Sequence, residues 1–417
     1  MQQSEILTSA LFNLKKTAER INLKDCFFER LSSPKEEFKI TLNPTLSSGR
    51  AIHIKAFISL HNDALGPSKG GIRMTPNVCI DDVVGLSMEM TWKTALIGVP
   101  FGGGKSGLCI DPTNITSADK EIILRSFIRG VKRHVGPEVY IPAPDMGTNE
   151  EDMGHIRDCI SYSNGTSITS GCYVTGKPIL LGGIIGRREA TGKGVVYTIL
   201  AACEKLGINL QDCRVAVQGF GNVGSVAAAQ LAQLGSRVIA VSDITGGIRN
   251  DLGLNIENLI KHLKISGKIS DFKDGEPISN SDLLTLDCDV LIPAASQSQI
   301  TEYNAEKIKA KVVAEGANSP TSPDADSILN KKGVFVIPDI LCNAGGVFVS
   351  YLEYTQETQR EQMTLQEVEL RLNNRMKERF IDVYKYSQNH TLSMRDAAME
   401  IAVIKVTEAL TARGYLP

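Results

Sequence analysis

Three lysines in the N-terminal half lie in glycine-rich surroundings: Lys69 in GPSKGGIR, Lys93 in MTWKTALIG and Lys105 in PFGGGKSG. Glycine lets backbone and ligand approach closely. A pocket with three ammonium groups suits a small dianion. Like-charge repulsion within it also lowers the pKa of one lysine towards neutrality, where an amine works as a base. Asp145, in IPAPDMGTNE, follows a short strand in a loop and supplies the complementary proton donor or acceptor. Hydride chemistry at a carbon that bears nitrogen needs both functions.

The glycine-lysine stretch does not read as a phosphate loop. That pattern requires a glycine five residues before Gly104, and the position is Val99. In the second near match, GCYVTGKP, Pro178 stands where a magnesium-binding hydroxyl belongs and removes a backbone N–H. A dinucleotide signal is stronger. In CRVAVQGFGNVG an apolar strand runs into Gly219, Gly221, Asn222, Val223 and Gly224, and the small-residue helix SVAAAQLAQLG follows. Gly219 permits the tight turn, Gly221 admits a pyrophosphate, and Gly224 lets helix pack on strand. Asp243 closes the next strand, RVIAVSD, about 20 residues beyond the last glycine, where a ribose-binding acid belongs. Its carboxylate repels a 2′-phosphate, so NAD is expected in preference to NADP. Arg249 nearby works in the other direction.

The elements that must position these residues divide the chain. Residues 5–21 carry apolar residues at helical spacing, and 50–60 alternate as a half-buried strand. A helix over 82–96 carries Lys93, and a short strand over 107–110 follows the glycine run. Ser117 caps a helix over 117–134. The glycine-dense segment 176–194 reads as a domain junction. Beyond it, apolar runs at 213–218, 237–242, 288–292, 311–315 and 334–337 alternate with stretches of helical length, the pattern of a doubly wound parallel sheet. The expected fold is therefore α/β with two domains. Residues 1–180 form a substrate and assembly domain, residues 181–356 a Rossmann-like domain, and helices over 357–417 fold back on the first.

A chain of 417 residues supports two such cores. A net charge of −2 implies no general attraction to nucleic acid or membrane, and no apolar run is long enough to span a bilayer. Nine cysteines without a CxxC pair, and an N-terminus without a secretory apolar stretch, point to reduced thiols in the cytoplasm. Cys109, Cys203 and Cys288 read as core residues. The six histidines lack ligand spacing, so no metal is expected.

The segments HNDALGPSKGGIRM, MTWKTALIGVPFGGGKSG, IPAPDMGTNEEDM, TGKPILLGG, GRREATGKGV, VQGFGNVG, AEGANSPT and NAGGVFVSYLEY occur in one order from about residue 50 to 356. In these segments the chain resembles the Glu/Leu/Phe/Val dehydrogenase family, most closely its glutamate-specific members. The resemblance implies reversible oxidative deamination of an amino acid to a 2-oxo acid and ammonia with NAD(P), by a homohexamer whose partners are small molecules. By motif, Lys105 would activate the water that attacks the imine carbon and Asp145 would shuttle the proton at nitrogen. Lys93 would hold the α-carboxylate, and Lys69 with Ser350 the side-chain carboxylate. Ala143, Thr175 and Val347 match pocket-lining positions, Thr191 and Asn222 match cofactor contacts, and Asn318 lies near the nicotinamide.

Four positions depart from the glutamate pattern: Leu65 for arginine, Met74 for phenylalanine, Ser106 for glycine and Phe348 for threonine. They lean towards an apolar amino acid as substrate. Lys69 argues the other way, because a buried lysine facing an aliphatic side chain is left unpaired. Two further readings stay in view: a non-catalytic sensor on the same fold, against which the intact Lys105 and Asp145 speak, and a hydroxy-acid dehydrogenase, which needs a histidine acid/base that no glycine-rich motif here contains.

Overall fold

The computed structural model describes residues 4–165 and 171–414. The chain divides into two compact units: residues 1–187, 348–368 and 399–417 form the first, and residues 188–347 and 369–398 the second.

The first unit opens with α1 (Glu5–Arg20) and α2 (Asp25–Leu31). A five-stranded sheet follows, built from β1 (Glu36–Leu42), β2 (Ile54–Asn62), β3 (Ser68–Thr75), β4 (Gly102–Cys109) and β5 (Tyr140–Pro144) in the order β1-β2-β4-β3-β5. α3 (Ile80–Ile97) covers one face, with Val83 packed against Phe57 of β2. α4 (Ser117–Val131) and α5 (Glu150–Ser163) cover the other, where Ile58, Ile72, Phe127 and Ile156 share one core. Helices on both faces explain why β2 is buried almost throughout and not half-buried as its alternation suggests. Thr116, not Ser117, caps α4, its hydroxyl accepting from the Asp119 N–H.

The second unit begins with α6 (Ala190–Leu206). A seven-stranded sheet then forms from β6 (Arg214–Gln218), β7 (Arg237–Asp243), β8 (Gly246–Arg249), β9 (Glu276–Ile278), β10 (Val290–Pro293), β11 (Val312–Ala314) and β12 (Phe335–Ile337). Its order is β12-β11-β10-β6-β7-β8-β9, parallel from β12 to β7 and antiparallel beyond. The five expected strands are the parallel ones. α7 (Gly224–Gln233), α8 (Ile256–Ser266), α9 (Asn280–Leu284) and α10 (Pro323–Lys331) connect the strands, and α11 (Asp339–Cys342) follows β12.

Three helices end the chain: α12 (Gly345–Gln359), α13 (Leu365–His390) and α14 (Met394–Ala412). They do not return as a block to the first unit. Residues 369–398 belong to the second, where Phe380 packs on Phe335 at 6.3 Å between ring centroids. There Arg395 reaches Glu315, Asp326 and Asp339 at 2.5, 3.0 and 3.3 Å. A buried arginine satisfied by three carboxylates of one unit keeps its helix end with that unit. All nine cysteines are free, and Cys109 is only partly buried because it closes β4. Among the described residues no helix is long and apolar enough to cross a membrane, and no cluster of ligating side chains fits a metal.

Candidate active site

The glycine run lies within a strand, which starts earlier than the expected residue 107. Gly102, Gly103 and Gly104 lie in β4, between β2 and β3. A Cβ on Gly102 would meet the Asn62 carbonyl oxygen at 1.8 Å, and one on Gly103 the Ser87 carbonyl oxygen of α3 at 2.3 Å. Any side chain here would force α3 and β2 away, so the glycines set how closely the layers approach.

Lys105, the next residue, is 3% exposed. Its Nζ pairs with Asp145 Oδ2. The register explains the reach. β3 lies between β4 and β5, and Gly71 of β3 stands opposite Ala143. A Cβ on Gly71 would lie 2.6 Å from Asp145 Cβ and 2.8 Å from Oδ2. The missing side chain is thus the window through which lysine and carboxylate meet. Asp145 Oδ1 also accepts from Arg73 Nε at 3.2 Å and from the Met146 N–H at 2.6 Å, and Thr148 Oγ1 accepts from the Asp145 N–H at 2.9 Å.

Burial opposes the charge on Asp145, but the Lys105 and Arg73 cations outweigh it and hold the carboxyl well below the usual range. Burial also pushes the Lys105 pKa down; Asp145 resists this, and Arg73 and Lys93 add to it. Lys93 is buried on α3, so the expected Lys93–Lys105 repulsion is present. Ser106 bonds Tyr140 Oη at 2.9 Å, and that hydroxyl donates to the Gly70 carbonyl at 3.3 Å. The serine that departs from the family pattern thus ties β4 to β5 beneath the lysines. Met74 is wholly buried in the core on the α4–α5 face, and the Phe348 ring lies 6.2 Å from that of Tyr351.

Lys69, 2% exposed, has no ion-pair partner among the described residues. Burial and the Arg187 charge push its pKa down to about 7. Arg187 Nε donates to Ser350 Oγ at 2.8 Å. The nearby carboxylates are engaged elsewhere: Lys177 Nζ reaches Glu353 at 2.7 Å and Glu357 at 2.9 Å. Glu353 also accepts the Gly176 and Lys177 N–H groups at 2.8 and 3.3 Å, fixing the loop that carries Thr175. Thr175 donates its N–H to the Pro142 carbonyl at 3.0 Å, while its buried hydroxyl has no partner. An orphaned buried hydroxyl is what a pocket for a polar ligand leaves behind.

In the second unit the glycine turn has the geometry its spacing implies. Gly219 has φ +90°, and a Cβ on it would strike the Ala295 N at 2.6 Å. A Cβ on Gly224 would stand 1.9 Å from the Gly219 carbonyl oxygen, whereas Gly221 faces open space. α7 starts at Gly224 from Val223 with no side-chain cap, so first-turn N–H groups are available to a phosphate. Asn222 is exposed beside them. A Cβ on Gly192 would lie 2.7 Å from the Val223 carbonyl oxygen, which brings the start of α6 and Thr191 to the turn. Asp243 ends β7 half-buried, with Oδ1 accepting from the Thr245 N–H and hydroxyl at 2.7 and 2.6 Å. Arg249 is held by Asp251 through two bonds of 2.8 and 2.7 Å. Asn318 Oδ1 accepts from Asn343 Nδ2 at 3.1 Å. These residues fit a dinucleotide. Val347 belongs to the second unit, half-buried, one turn before Ser350 on α12.

Reasoning from sequence missed Arg73, Arg187, Lys177 and Glu353. Each sits inside a quoted motif. Pairs such as Lys177–Glu353, 176 residues apart, have no signature in spacing.

Residues 34–162 match the family described as Glu/Leu/Phe/Val dehydrogenase, dimerisation domain, and residues 182–414 match Glutamate/Leucine/Phenylalanine/Valine dehydrogenase. The glutamate dehydrogenase of Thermotoga maritima is 42% identical over 418 aligned residues covering 100% of both chains. The NADP-specific glutamate dehydrogenase of Saccharolobus shibatae is 39% identical over 99% of both. Among solved structures, the leucine-bound hetero-hexameric glutamate dehydrogenase of Thermus thermophilus superposes with a TM-score of 0.94 at 29% identity, over 99% of this chain and 98% of that one. Glutamate dehydrogenase from Peptoniphilus asaccharolyticus gives 0.86 at 31%, over 99% and 100%. With both domain families matched in order and relatives aligned along its whole length, the chain belongs to the Glu/Leu/Phe/Val dehydrogenase family.

Proposed function

We propose that the chain is an NAD(P)-dependent glutamate dehydrogenase, converting L-glutamate reversibly to 2-oxoglutarate and ammonia. The observation that carries the choice of glutamate is Lys69: a buried amine without an ion-pair partner among the described residues, opposed by the charge of Arg187, which itself bonds Ser350. An aliphatic side chain would leave these groups unsatisfied, and the side-chain carboxylate of glutamate would satisfy them.

Lys93 holds the α-carboxylate, and Ala143 and Val347 bound the substrate. The bound cofactor supplies a hydride acceptor for the Cα–H of glutamate. Lys105, whose pKa burial lowers, takes a proton from the water that adds to the imine carbon. Asp145 carries the proton to and from nitrogen. Its partner Lys105 must lose its own proton first, since two cations otherwise keep the carboxylate ionised. The glycine turn, Thr191 and Asn222 would hold the dinucleotide, Asp243 its ribose and Asn318 the nicotinamide end. Because Asp251 occupies Arg249, the acid at Asp243 is left to exclude a 2′-phosphate, which supports NAD over NADP. The assembly is a homohexamer.

Purified protein offered glutamate, leucine, valine or phenylalanine, each with NAD and with NADP, tests this by the absorbance of reduced nicotinamide. Rapid reduction with glutamate alone, faster with NAD, is expected. Preference for an apolar amino acid would overturn the role of Lys69. Cofactor binding without turnover would favour the sensor.

A further inference from the structure

The surroundings of Lys69 lack a counter-ion in a specific way. The titratable groups whose charge acts on Lys69 are Arg187, Cys172, Glu353 and Lys177. Cys172 is fully buried, and burial pushes its thiol well above the ordinary range, so it carries no charge. Glu353 is consumed by Lys177 and two backbone N–H groups. Glu357 faces Lys177 at 2.9 Å and Arg157 at 3.8 Å. Arg187, always charged, adds repulsion. An ammonium group at Lys69 would therefore be buried beside cations with no anion of its own.

We propose, resting on the glutamate reading above, that above neutral pH Lys69 is mainly an uncharged amine in the ligand-free protein and takes up a proton from solvent as a side-chain carboxylate enters. The balance is simple: the amine of Lys69, one proton and the ligand carboxylate give an ammonium–carboxylate pair. No other bond changes. The ion pair is created by binding and not transferred from an internal partner, so no competing salt bridge has to break.

Selectivity then depends on pH. A dicarboxylate binds with proton uptake, whereas a monocarboxylate of equal length leaves the amine neutral. The ratio of their affinities falls about tenfold per pH unit. An apolar side chain is refused most strongly at low pH, where it would leave an ammonium group unpaired.

Glutarate and pentanoate are matched, unreactive probes. Both present one carboxylate to Lys93, and only glutarate presents a second to Lys69. The test is calorimetric titration of the full chain loaded with NAD, in phosphate and in Tris, whose ionisation enthalpies differ. With Lys69 at about 7, glutarate should take up about 0.1 proton at pH 6 and about 0.9 at pH 8. Pentanoate should take up none at pH 8. Lys69→Met should bind glutarate more weakly, without uptake. Glutarate binding at pH 8 with no uptake, or equal uptake with pentanoate, would overturn the proposal while leaving the dicarboxylate pocket standing. Glutarate failing to bind would overturn the pocket reading as well.

Discussion

Gly71→Ala isolates the window between Lys105 and Asp145. The backbone at Gly71 does not have a positive φ, so alanine brings no conformational strain. Its methyl group would lie 2.6 Å from Asp145 Cβ and 2.8 Å from Oδ2. Ordinary van der Waals contact begins near 3.4 Å, so Asp145 must withdraw by about 0.6–0.8 Å. Tyr140–Pro144 pairs with β3 directly beside this point, and Asp145 is anchored by Arg73 and the Met146 N–H. The shift therefore falls on the carboxylate and its bond to Lys105. A misplacement approaching 1 Å costs about 100-fold in rate. We expect kcat for glutamate to fall by roughly two orders of magnitude, with KM for the cofactor unchanged, because the glycine turn lies in the other compact unit. The assay is steady-state kinetics on a variant whose thermal midpoint matches the parent. A stable variant that retains kcat within about threefold would refute the claim that this contact is needed for proton transfer.

Three other outcomes are expected. The rate kcat/KM should rise with pH as Lys105 loses its proton, at a midpoint below that of an ordinary lysine; Arg73→Met removes a cation that lowers this pKa, so the rising limb should move to higher pH. Asp243→Ser should cut kcat/KM with NAD by about tenfold and raise it with NADP, since one charged ribose contact and one repulsion go together; unchanged ratios would remove Asp243 from the ribose site. Lys177→Met leaves Glu353 and Glu357 buried without their cation, and urea unfolding should show a loss of about 3–5 kcal/mol.

How much was legible depends on whether a feature is local. The Gly219–Gly224 turn was readable because strand, turn and helix are consecutive, and Gly224 answers the Gly219 carbonyl within the same turn. The parallel strands were readable because burial on both faces demands uninterrupted apolar runs such as VAV in β6. Strands β8 and β9 were not, because GGIR and EPI are too short to show a pattern. The strand expected from 107 begins at Gly102 instead, since glycines give no strand signal unless one knows which layers press on them. The C-terminal helices carry no local signal of which unit they join. Long-range contacts, Phe380 on Phe335 and the carboxylates around Arg395, decide where residues 369–398 belong.

From the sequence alone came the chemical inventory: the lysines and the aspartate, the dinucleotide turn, and a family resemblance carried by motifs in order. Tertiary structure alone decided the electrostatics. Lys105 meets Asp145 because a glycine on the intervening strand opens the way, and Lys69 stands without a counter-ion because Lys177 takes both carboxylates near it. Residue types follow from local sequence, but the charge state of a buried group depends on the anions and cations that distant segments place around it.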